Sequence, residues 1–532
     1  MKMHLLAAMV GSALALSAAP GTAHEGDAQT GKLGKVSFPT SCDPKLQADF
    51  ERAVAMLHSF WFVAAEKAFP DIAARDPSCA IAHWGYAAIL MSNPLAGQGA
   101  SPEGAKKAQA AIAEARRIGA KTARERDYIE AVAAYYDDYA NRSEKARQAS
   151  RAAAYEALAA RYPDDDEAKI FAALYIAGTQ SQSDQTYAAY LKAATVLDRQ
   201  FAKHPDHPGV AHYLIHSYDA PPIAEKGLDA ARRYARIAPA APHALHMPSH
   251  IFTRVGAWEE SAETNLRSFE VAKAGGEADE SYHASDYAAY AYLQLARDGA
   301  ALGVIENSMK VPGMNPARLV APYAIAAMPA RYAVERGDWK AAMQLKAAET
   351  KFPFTDAITH FARALGALRS GDAGAAEKDA QMLAALHKKL VDGKNSYWAT
   401  EVEVQRLAVA GWTEHVKGNA AEGAKLMRAA ADLEDRNEKH IVTPARILPA
   451  RELLAEMLLE QKQPAQALKE FEMSQVREPN RFRNFAGSAH AAEMAGDRAK
   501  AAAYSRKLLE LAAKGDGNRP ELSKAKAVLA QR

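Results

Sequence analysis

The sequence predicts an all-α protein, a right-handed α-solenoid of tetratricopeptide-like helix–turn–helix repeats. Pro205 and Pro239 lie 34 positions apart, which is the period of that repeat. Helix-like windows rich in alanine and aromatic residues fill the chain, and the alternation typical of strands is absent. The 532 residues are too many for one compact core but are ordinary for stacked repeats.

The first residues have the pattern of a secretory signal peptide. Lys2 supplies the charge, Leu5 to Leu16 the apolar core, and Ala23 ends a small-residue cleavage site. We therefore expect residues 1–23 to be removed and residues 24–35 to form a mobile segment. An uncleaved anchor is the alternative, although the apolar stretch is short for a bilayer span. We expect a periplasmic or secreted protein with no membrane span after cleavage.

The repeat pattern continues to the end of the chain. An apolar helix, a glycine turn, an alanine-rich second helix and a proline recur, for example after Pro77 and around Arg336-Gly337-Asp338-Trp339. Residues 311–316 are rich in proline and glycine, as is typical of a linker. We predict an N-terminal array over 36–310 and a C-terminal array over 317–532.

The sequence contains two cysteines, Cys42 and Cys79. An even number of cysteines in an exported protein favours a disulfide. Cys42 precedes the first helix and Cys79 opens a helix one repeat later, and parallel neighbouring helices bring such starts together. The alternatives are free buried thiols and metal ligation.

Charge and motifs exclude several classes of function. The 66 Lys and Arg residues nearly balance the 64 Asp and Glu residues, which leaves a formal net charge of +2. No basic stripe is present, so we expect no nucleic-acid partner. The nucleophile elbow, the phosphate-binding loop, the dinucleotide fingerprint and the H-E-x-x-H zinc motif are all missing.

Four histidines form two pairs that repeat with the solenoid period. His212 and His216 are four residues apart, as are His246 and His250, and the second pair follows the first by 34 positions. Residues four apart share one face of a helix. The spacing predicts four imidazoles on two neighbouring parallel helices, facing the concave groove.

Further residues extend this cluster. His243 and His283 are predicted as additional ligands, although the spacing of His283 is not a full period. Asp219 follows His216 closely and can orient an imidazole by accepting its second ring N–H. Tyr213 and Tyr287 are predicted to line the site.

An imidazole-rich site suits copper, zinc, nickel or iron(II), so we predict a transition-metal cofactor. The leading function is a scaffold or ligand-binding protein with a histidine-lined metal site that takes a small molecule or peptide. A metal-dependent hydrolase or oxidoreductase is one alternative, with Asp286 as its candidate acid or base. Others are a polar groove without metal, purely structural histidines, and a metal-free protein-interaction scaffold. Arg451 is expected in a salt-bridged wall, or else as a clamp for a substrate carboxylate.

Several segments together resemble a family of exported bacterial tetratricopeptide proteins. The resemblance runs from about residue 36 to residue 515 and implies an α-solenoid and a periplasmic location, but no particular activity. The segments that carry it are residues 57–62, 76–85, 212–216, 243–252, 449–454 and 479–482.

Overall fold

Stacked helices make up the regular structure of residues 31–97 and 99–530, the part of the chain that this computed structural model describes. The described residues contain no β-strand, which confirms the predicted all-α solenoid. None of the described helices is both long and apolar enough to cross a bilayer. The predicted signal peptide, residues 1–23, lies outside the described residues.

Two 3-10 helices, Pro44–Leu46 and Ala224–Gly227, accompany the α-helices. The α-helices, in chain order, are α1 Gln47–His58, α2 Phe62–Arg75, α3 Ala80–Ile89, α4 Pro102–Ile118, α5 Ala123–Tyr136, α6 Glu144–Arg161, α7 Asp166–Ala177, α8 Ala188–Lys203, α9 Pro208–Tyr218, α10 Leu228–Ile237, α11 Pro242–His246, α12 Pro248–Val255, α13 Trp258–Ala274, α14 Ala278–Gln294, α15 Asp298–Ser308, α16 Val320–Glu335, α17 Trp339–Met343, α18 Pro353–Arg369, α19 Ala373–Asp392, α20 Ser396–Val416, α21 Ala420–Glu434, α22 Ala450–Glu460, α23 Pro464–Arg477, α24 Phe482–Met494, α25 Arg498–Leu511 and α26 Pro520–Ala530.

Local sequence signals explain where these helices begin and end. At the start of α4, the hydroxyl of Ser101 accepts a hydrogen bond from the Gly104 amide, and Pro102 occupies the first turn. The same helix ends at Gly119, whose φ of 80° is available to glycine at little cost. The helices therefore follow capping rules that can be read from the sequence.

Each helix packs against its neighbours in sequence, and alternate helices pack on each other as in stacked repeats. For example, α14 contacts both α13 and α16, so the stack continues across residues 311–316, which contain no helix. Some helices that are distant in sequence also contact each other: α1 contacts α9, and α14 contacts α24. The fully buried Arg481, which precedes α24, also ties that helix to α16 and α22 by pairing with Glu335 and Glu452, each at 2.8 Å.

The chain before α1 is fastened to the solenoid at two points. Cys42 and Cys79 form a disulfide with their Cα atoms 4.7 Å apart, which confirms the predicted pairing. Upstream, the Lys35 amide donates to the Asp206 carbonyl at 3.0 Å, and Leu33 is buried. Residues 32–35 are therefore packed rather than mobile as predicted. The other part of that segment, residues 24–30, lies outside the described residues.

Candidate metal centre

The six predicted histidines come together as two sets of three rather than as one site. Within each set, one nitrogen from each imidazole lies within 4.8 Å of the others. Each i, i+4 pair is completed by a third histidine, from α11 in one set and from α14 in the other. The first set consists of His212, His216 and His243, and the second set consists of His246, His250 and His283.

Hydrogen bonds fix the protonation of His246 and His250, the i, i+4 pair of the second set. The Asn265 amide nitrogen donates to the Ser261 carbonyl at 2.7 Å, so its oxygen faces His246 Nδ1, also at 2.7 Å. Asp219 accepts from His250 Nδ1 at 2.9 Å. Both Nδ1 atoms must therefore donate, and both Nε2 atoms carry lone pairs.

Those two lone pairs face each other inside the protein. The Nε2 atoms of His246 and His250 are 3.0 Å apart, and both side chains are at most 2% exposed. A neutral imidazole here cannot donate to the other without losing its bond to Asn265 or Asp219. Two nitrogens bound tetrahedrally to one zinc ion at about 2.05 Å would lie about 3.3 Å apart. The pair is thus close to the spacing that a shared cation requires.

The first set has the same layout with fewer fixed partners. His212 Nδ1 lies 2.7 Å from the carbonyl oxygen of His58, an acceptor only, so its Nε2 also carries a lone pair. His216 Nε2 lies 3.0 Å from it. The buried His216 Nδ1 and His243 Nε2 have no hydrogen-bond partner among the described residues, and His243 Nδ1 has only the Glu280 carboxylate, 3.5 Å away. Such unsatisfied buried nitrogens are unusual in a purely structural cluster.

Burial favours the neutral form of five of these imidazoles, those of His212, His216, His246, His250 and His283. It lowers the pKa of His250 to about 4 and that of His283 to about 3. Burial, reinforced by the neighbouring imidazoles, also holds the pKa of His212, His216 and His246 well below the ordinary value. A neutral imidazole is the form that binds metals, and a proton is a poor occupant of the space between two of them.

The structure differs from the prediction of an open groove. A segment between α21 and α22, residues 435–449, lies against α12 and α14, and we call it the strap. Its residues 437–445 are buried, its Thr443 carbonyl accepts from the Tyr287 hydroxyl at 3.0 Å, and its Glu438 lies 3.4 Å from Arg254. The strap therefore encloses the histidines. His243 and His283 are 7% exposed and the other four at most 2%, so access is from the edge where these two lie.

Asp219 has the orienting role that the sequence predicted, but for a different imidazole. It accepts from His250 rather than from His216, because it caps the end of α9 and faces the next repeat. Its carboxylate also accepts from Arg254 Nε at 2.7 Å and lies 3.7 Å from Lys439 Nζ. Burial by itself would raise the pKa of Asp219, but these two cations outweigh it and keep the group ionised.

Phe60 is a neighbour of the first set that the sequence analysis did not single out. Its ring centroid lies 4.4 Å from that of His212 and 5.6 Å from that of His243. Phe60 follows the end of α1 and has a φ of 50°, a backbone conformation usually adopted there by glycine. Holding a phenylalanine there costs about 1 kcal/mol. The sequence offered no signal for this role, since many helices end without glycine.

Of the other three predicted residues, the two tyrosines lie beside the histidines and Asp286 does not. Tyr213 lines the first set with its ring, whose centroid is 5.2 Å from that of His212, while its hydroxyl donates to His58 Nδ1 at 2.9 Å. Asp286 is ion-paired with Arg331 at 2.7 Å, and although burial raises its pKa to about 6, it contacts none of the six imidazoles. Tyr287 does line the second set, with its hydroxyl 3.4 Å from His250 Nε2.

Arg451 belongs to a salt-bridged wall, the first of the two roles expected for it. Its guanidinium pairs with Asp432 at 2.8 Å, Glu470 at 2.6 Å and Asp435 at 2.5 Å. Three carboxylates surround the guanidinium, which is the arrangement expected of such a wall.

A third buried group, His58, Glu167 and His207, has its hydrogen bonds complete. Glu167 accepts from His58 Nε2 at 2.9 Å and from His207 Nε2 at 2.8 Å. The remaining ring nitrogens accept from the Tyr213 hydroxyl and from the Val210 amide. With every nitrogen satisfied, this group is a structural network that joins α1, α7 and α9.

No protein-family model and no curated protein matches the chain. Solved structures of IFIT1 do match. A monomeric IFIT1 mutant with m7Gppp-AAAA is 12% identical, with a TM-score of 0.37, and the match covers 88% of this chain and 96% of that one. Human IFIT1 dimers with PPP-AAAA and with m7Gppp-AAAA are each 13% identical, with TM-scores of 0.36. These matches cover 82% of this chain and 91% and 90% of the IFIT1 chains. Likeness at this level carries no information about what this chain binds.

Proposed function

We propose that this protein is a helical scaffold that binds a transition metal through the six histidines, with the second set as the principal site. One observation carries the proposal. The Nε2 atoms of His246 and His250 face each other at 3.0 Å, while Asn265 and Asp219 occupy both Nδ1 atoms. A buried pair of lone pairs repels unless a cation lies between them, and a metal ion supplies that cation.

The donor set favours a borderline or soft metal ion. Neutral imidazoles suit zinc, copper, nickel and iron(II), whereas magnesium and calcium prefer oxygen ligands. The outer partners follow the usual arrangement in metal sites, in which an amide or carboxylate accepts the second ring N–H and fixes the imidazole. Glu280, 3.5 Å from His243 Nδ1 and partly exposed, offers an incoming cation a carboxylate at the accessible edge.

A metal-dependent enzyme is the second candidate, because each set supplies only three protein ligands. Catalytic zinc sites use three protein ligands and leave a fourth position for water or substrate. A hydrolase or an oxidoreductase fits this opening equally well, and the reacting compound is unassigned. A metal-free interaction scaffold is less well supported, because the histidines are enclosed by the strap instead of lining an open surface.

We also propose that the protein is exported. The proposal is supported by the signal-like pattern over residues 1–23 and by the Cys42–Cys79 disulfide. Disulfides persist in oxidising compartments such as the periplasm. Sequencing the N-terminus of the protein isolated from its native host tests this proposal, and an intact Met1 would contradict it.

The metal proposal is tested by elemental analysis of the purified protein after extensive dialysis. We compare the wild type with the double variant His246→Ala/His250→Ala. His360→Gln is a matched control, because His360 is a mostly buried histidine that bonds to Asp379 at 2.6 Å outside either set. Circular dichroism verifies that each variant keeps its helical content.

The wild type and the His360→Gln control should retain at least one transition-metal ion per chain, and the double variant should retain less. The expected loss from a principal site is at least tenfold in affinity, because two of its three ligands are removed. If the wild type binds no transition metal, or if the folded double variant retains as much as the wild type, the proposal is wrong.

A further inference from the structure

The two sets of histidines are neighbours, and each is complete by itself. The nitrogens within each set lie within 4.8 Å of one another. His216 and His250, one from each set, have ring centroids 5.8 Å apart, and those of His243 and His246 are 5.9 Å apart. Two tri-histidine sites thus share a boundary.

One ion cannot use both facing pairs. Imidazole nitrogens bind zinc at about 2.0–2.1 Å, so an ion between His246 Nε2 and His250 Nε2 is confined to the second set. His212 and His216 also have Nε2 atoms 3.0 Å apart, and although His216 can donate to His212 in the metal-free protein, both nitrogens are placed to bind a second ion. The geometry therefore defines two ion positions.

Two ions would leave this interior with excess positive charge. All six imidazoles are neutral ligands. Among the described residues, the carboxylates that contact them are Asp219 and Glu280, and Asp219 is already paired with Arg254. Buried charge is costly unless it is compensated. Two divalent ions therefore require an anion from solution.

Lys439 of the strap indicates where that anion would lie. Its side chain is 4% exposed, and its ammonium nitrogen makes no hydrogen bond within the described part of the chain. The nearest carboxylate oxygen, on Asp219, is 3.7 Å away. A buried ammonium with three unused donors is an unusual feature in a folded protein, and it lies beside the carboxylate that orients His250.

We infer that the six histidines form a dinuclear centre, in which each set binds one transition-metal ion and the two ions share a small bridging anion, such as hydroxide, held beside Lys439. The inference rests on the proposed function and specifies it further, since it assigns the number of ions and the class of the additional ligand.

Copper(II) is the probe for the number of ions. The metal-free full-length mature protein is loaded with excess copper(II), desalted, and analysed for copper per chain and for its electron paramagnetic resonance. We expect two copper ions per chain. Because a bridging anion couples their spins, the integrated signal should correspond to well under two spins.

Variants that remove one set at a time test the assignment. His212→Ala/His243→Ala should bind one copper with a full one-spin signal, because the remaining ion has no partner. His246→Ala/His283→Ala should also bind one. The control His360→Gln should bind two coupled ions, as the wild type does.

The count in the wild type distinguishes this inference from the proposed function. Two coupled ions support both. One ion per chain overturns the dinuclear centre and leaves the proposed function standing, while no bound ion overturns both. Two ions with a full two-spin signal would overturn the bridged arrangement.

Azide tests the anion. Titration of the copper-loaded protein with azide should produce a charge-transfer band, and Lys439→Met should weaken azide binding at least tenfold while two copper ions remain bound. A tenfold change corresponds to about 1.4 kcal/mol, a reasonable loss for one charge-assisted hydrogen bond. Equal azide affinity in Lys439→Met would overturn the role of Lys439.

Discussion

Replacing Asp219 with asparagine exchanges one carboxylate oxygen for an NH2 group. Asp219 lies between the histidine centre and two buried cations, Arg254 and Lys439. The carboxylate accepts from His250 Nδ1 on one oxygen and from Arg254 Nε on the other, at 2.9 and 2.7 Å. An asparagine has only one acceptor oxygen. Its amide nitrogen must therefore face either His250 or Arg254, both of which donate.

The expected loss of stability follows from the charges left behind. The side chains of Arg254 and Lys439 are at most 6% exposed. Without the Asp219 carboxylate, Arg254 keeps Glu438, 3.4 Å away, as its charged partner among the described residues. Removing one partner of a buried ion pair costs about 3–5 kcal/mol. Loss of an orienting partner also lowers metal affinity by about 10- to 100-fold.

Urea unfolding of the metal-free protein at pH 7, followed by circular dichroism, measures the first effect, and competition with a chelator measures the second. Asp198→Asn is the matched control. Asp198 accepts from the Tyr218 hydroxyl at 2.7 Å, a bond that the asparagine oxygen can keep, so the expected loss is about 1 kcal/mol or less. The double variant Asp219→Asn/Arg254→Met should recover about 1–3 kcal/mol of the loss.

A clear result would refute this reasoning. If Asp219→Asn loses no more stability than the Asp198→Asn control and binds metal as tightly as the wild type, Asp219 neither compensates the cations nor orients His250. Independent, additive effects of the Asp219 and Arg254 substitutions would likewise mean that the pair is not coupled.

Three further predictions concern stability. Reducing the Cys42–Cys79 bond, which joins residues 37 positions apart, should lower the free energy of unfolding by about 3–4 kcal/mol, as measured by urea unfolding with and without reductant. Acid should destabilise the metal-free protein. The pKa of His250 is about 4 when folded and 6.5 when unfolded, so the unfolded chain binds the proton first. Protonation of His250 in the unfolded chain should lower the free energy of unfolding by about 3 kcal/mol between pH 6.5 and 4, as measured by urea unfolding over this range. A free energy of unfolding that does not change over this pH range would contradict the prediction. Metal at a hundredfold excess over its dissociation constant should stabilise the wild type by about 2.7 kcal/mol for each occupied site, and it should stabilise His246→Ala/His250→Ala less than the wild type in thermal unfolding.

Much of the fold was predictable because it is local and periodic. The 34-residue spacing and the capping residues are encoded within each repeat, and the helices form as those signals indicate. The disulfide was predictable because Cys42 and Cys79 lie at corresponding ends of neighbouring repeats. The packing of residues 32–35 against Asp206 was not predictable, since a polar segment gives no periodic signal.

The convergence of the histidines also followed from periodicity, whereas the enclosure of the site did not. The i, i+4 pairs share a face and the repeat shift aligns them, so His212, His216, His246 and His250 come together. The strap lies about 200 positions away in sequence, and nothing in its pattern indicates which surface it covers. Its contribution of Lys439 could be found only in three dimensions.

The division into two sets depends on details that the repeat spacing does not contain. His283 reaches His246, with ring centroids 4.1 Å apart, although it falls one position short of a full repeat after His250. Asn265, which fixes the tautomer of His246, lies on α13, a helix that carries none of the six histidines. Asp219 turns towards His250 because α9 ends there. Each of these depends on where a helix stops, which spacing alone does not specify.

The central claim is that a metal ion lies between His246 and His250, and anomalous diffraction tests it most directly. Crystals of the protein isolated from its native compartment are measured above and below the absorption edge of whichever transition metal elemental analysis finds. The account predicts an anomalous peak about 2.0–2.3 Å from the Nε2 atoms of both histidines. A well-ordered centre with no such peak, and with a hydrogen bond joining the two Nε2 atoms, would contradict it.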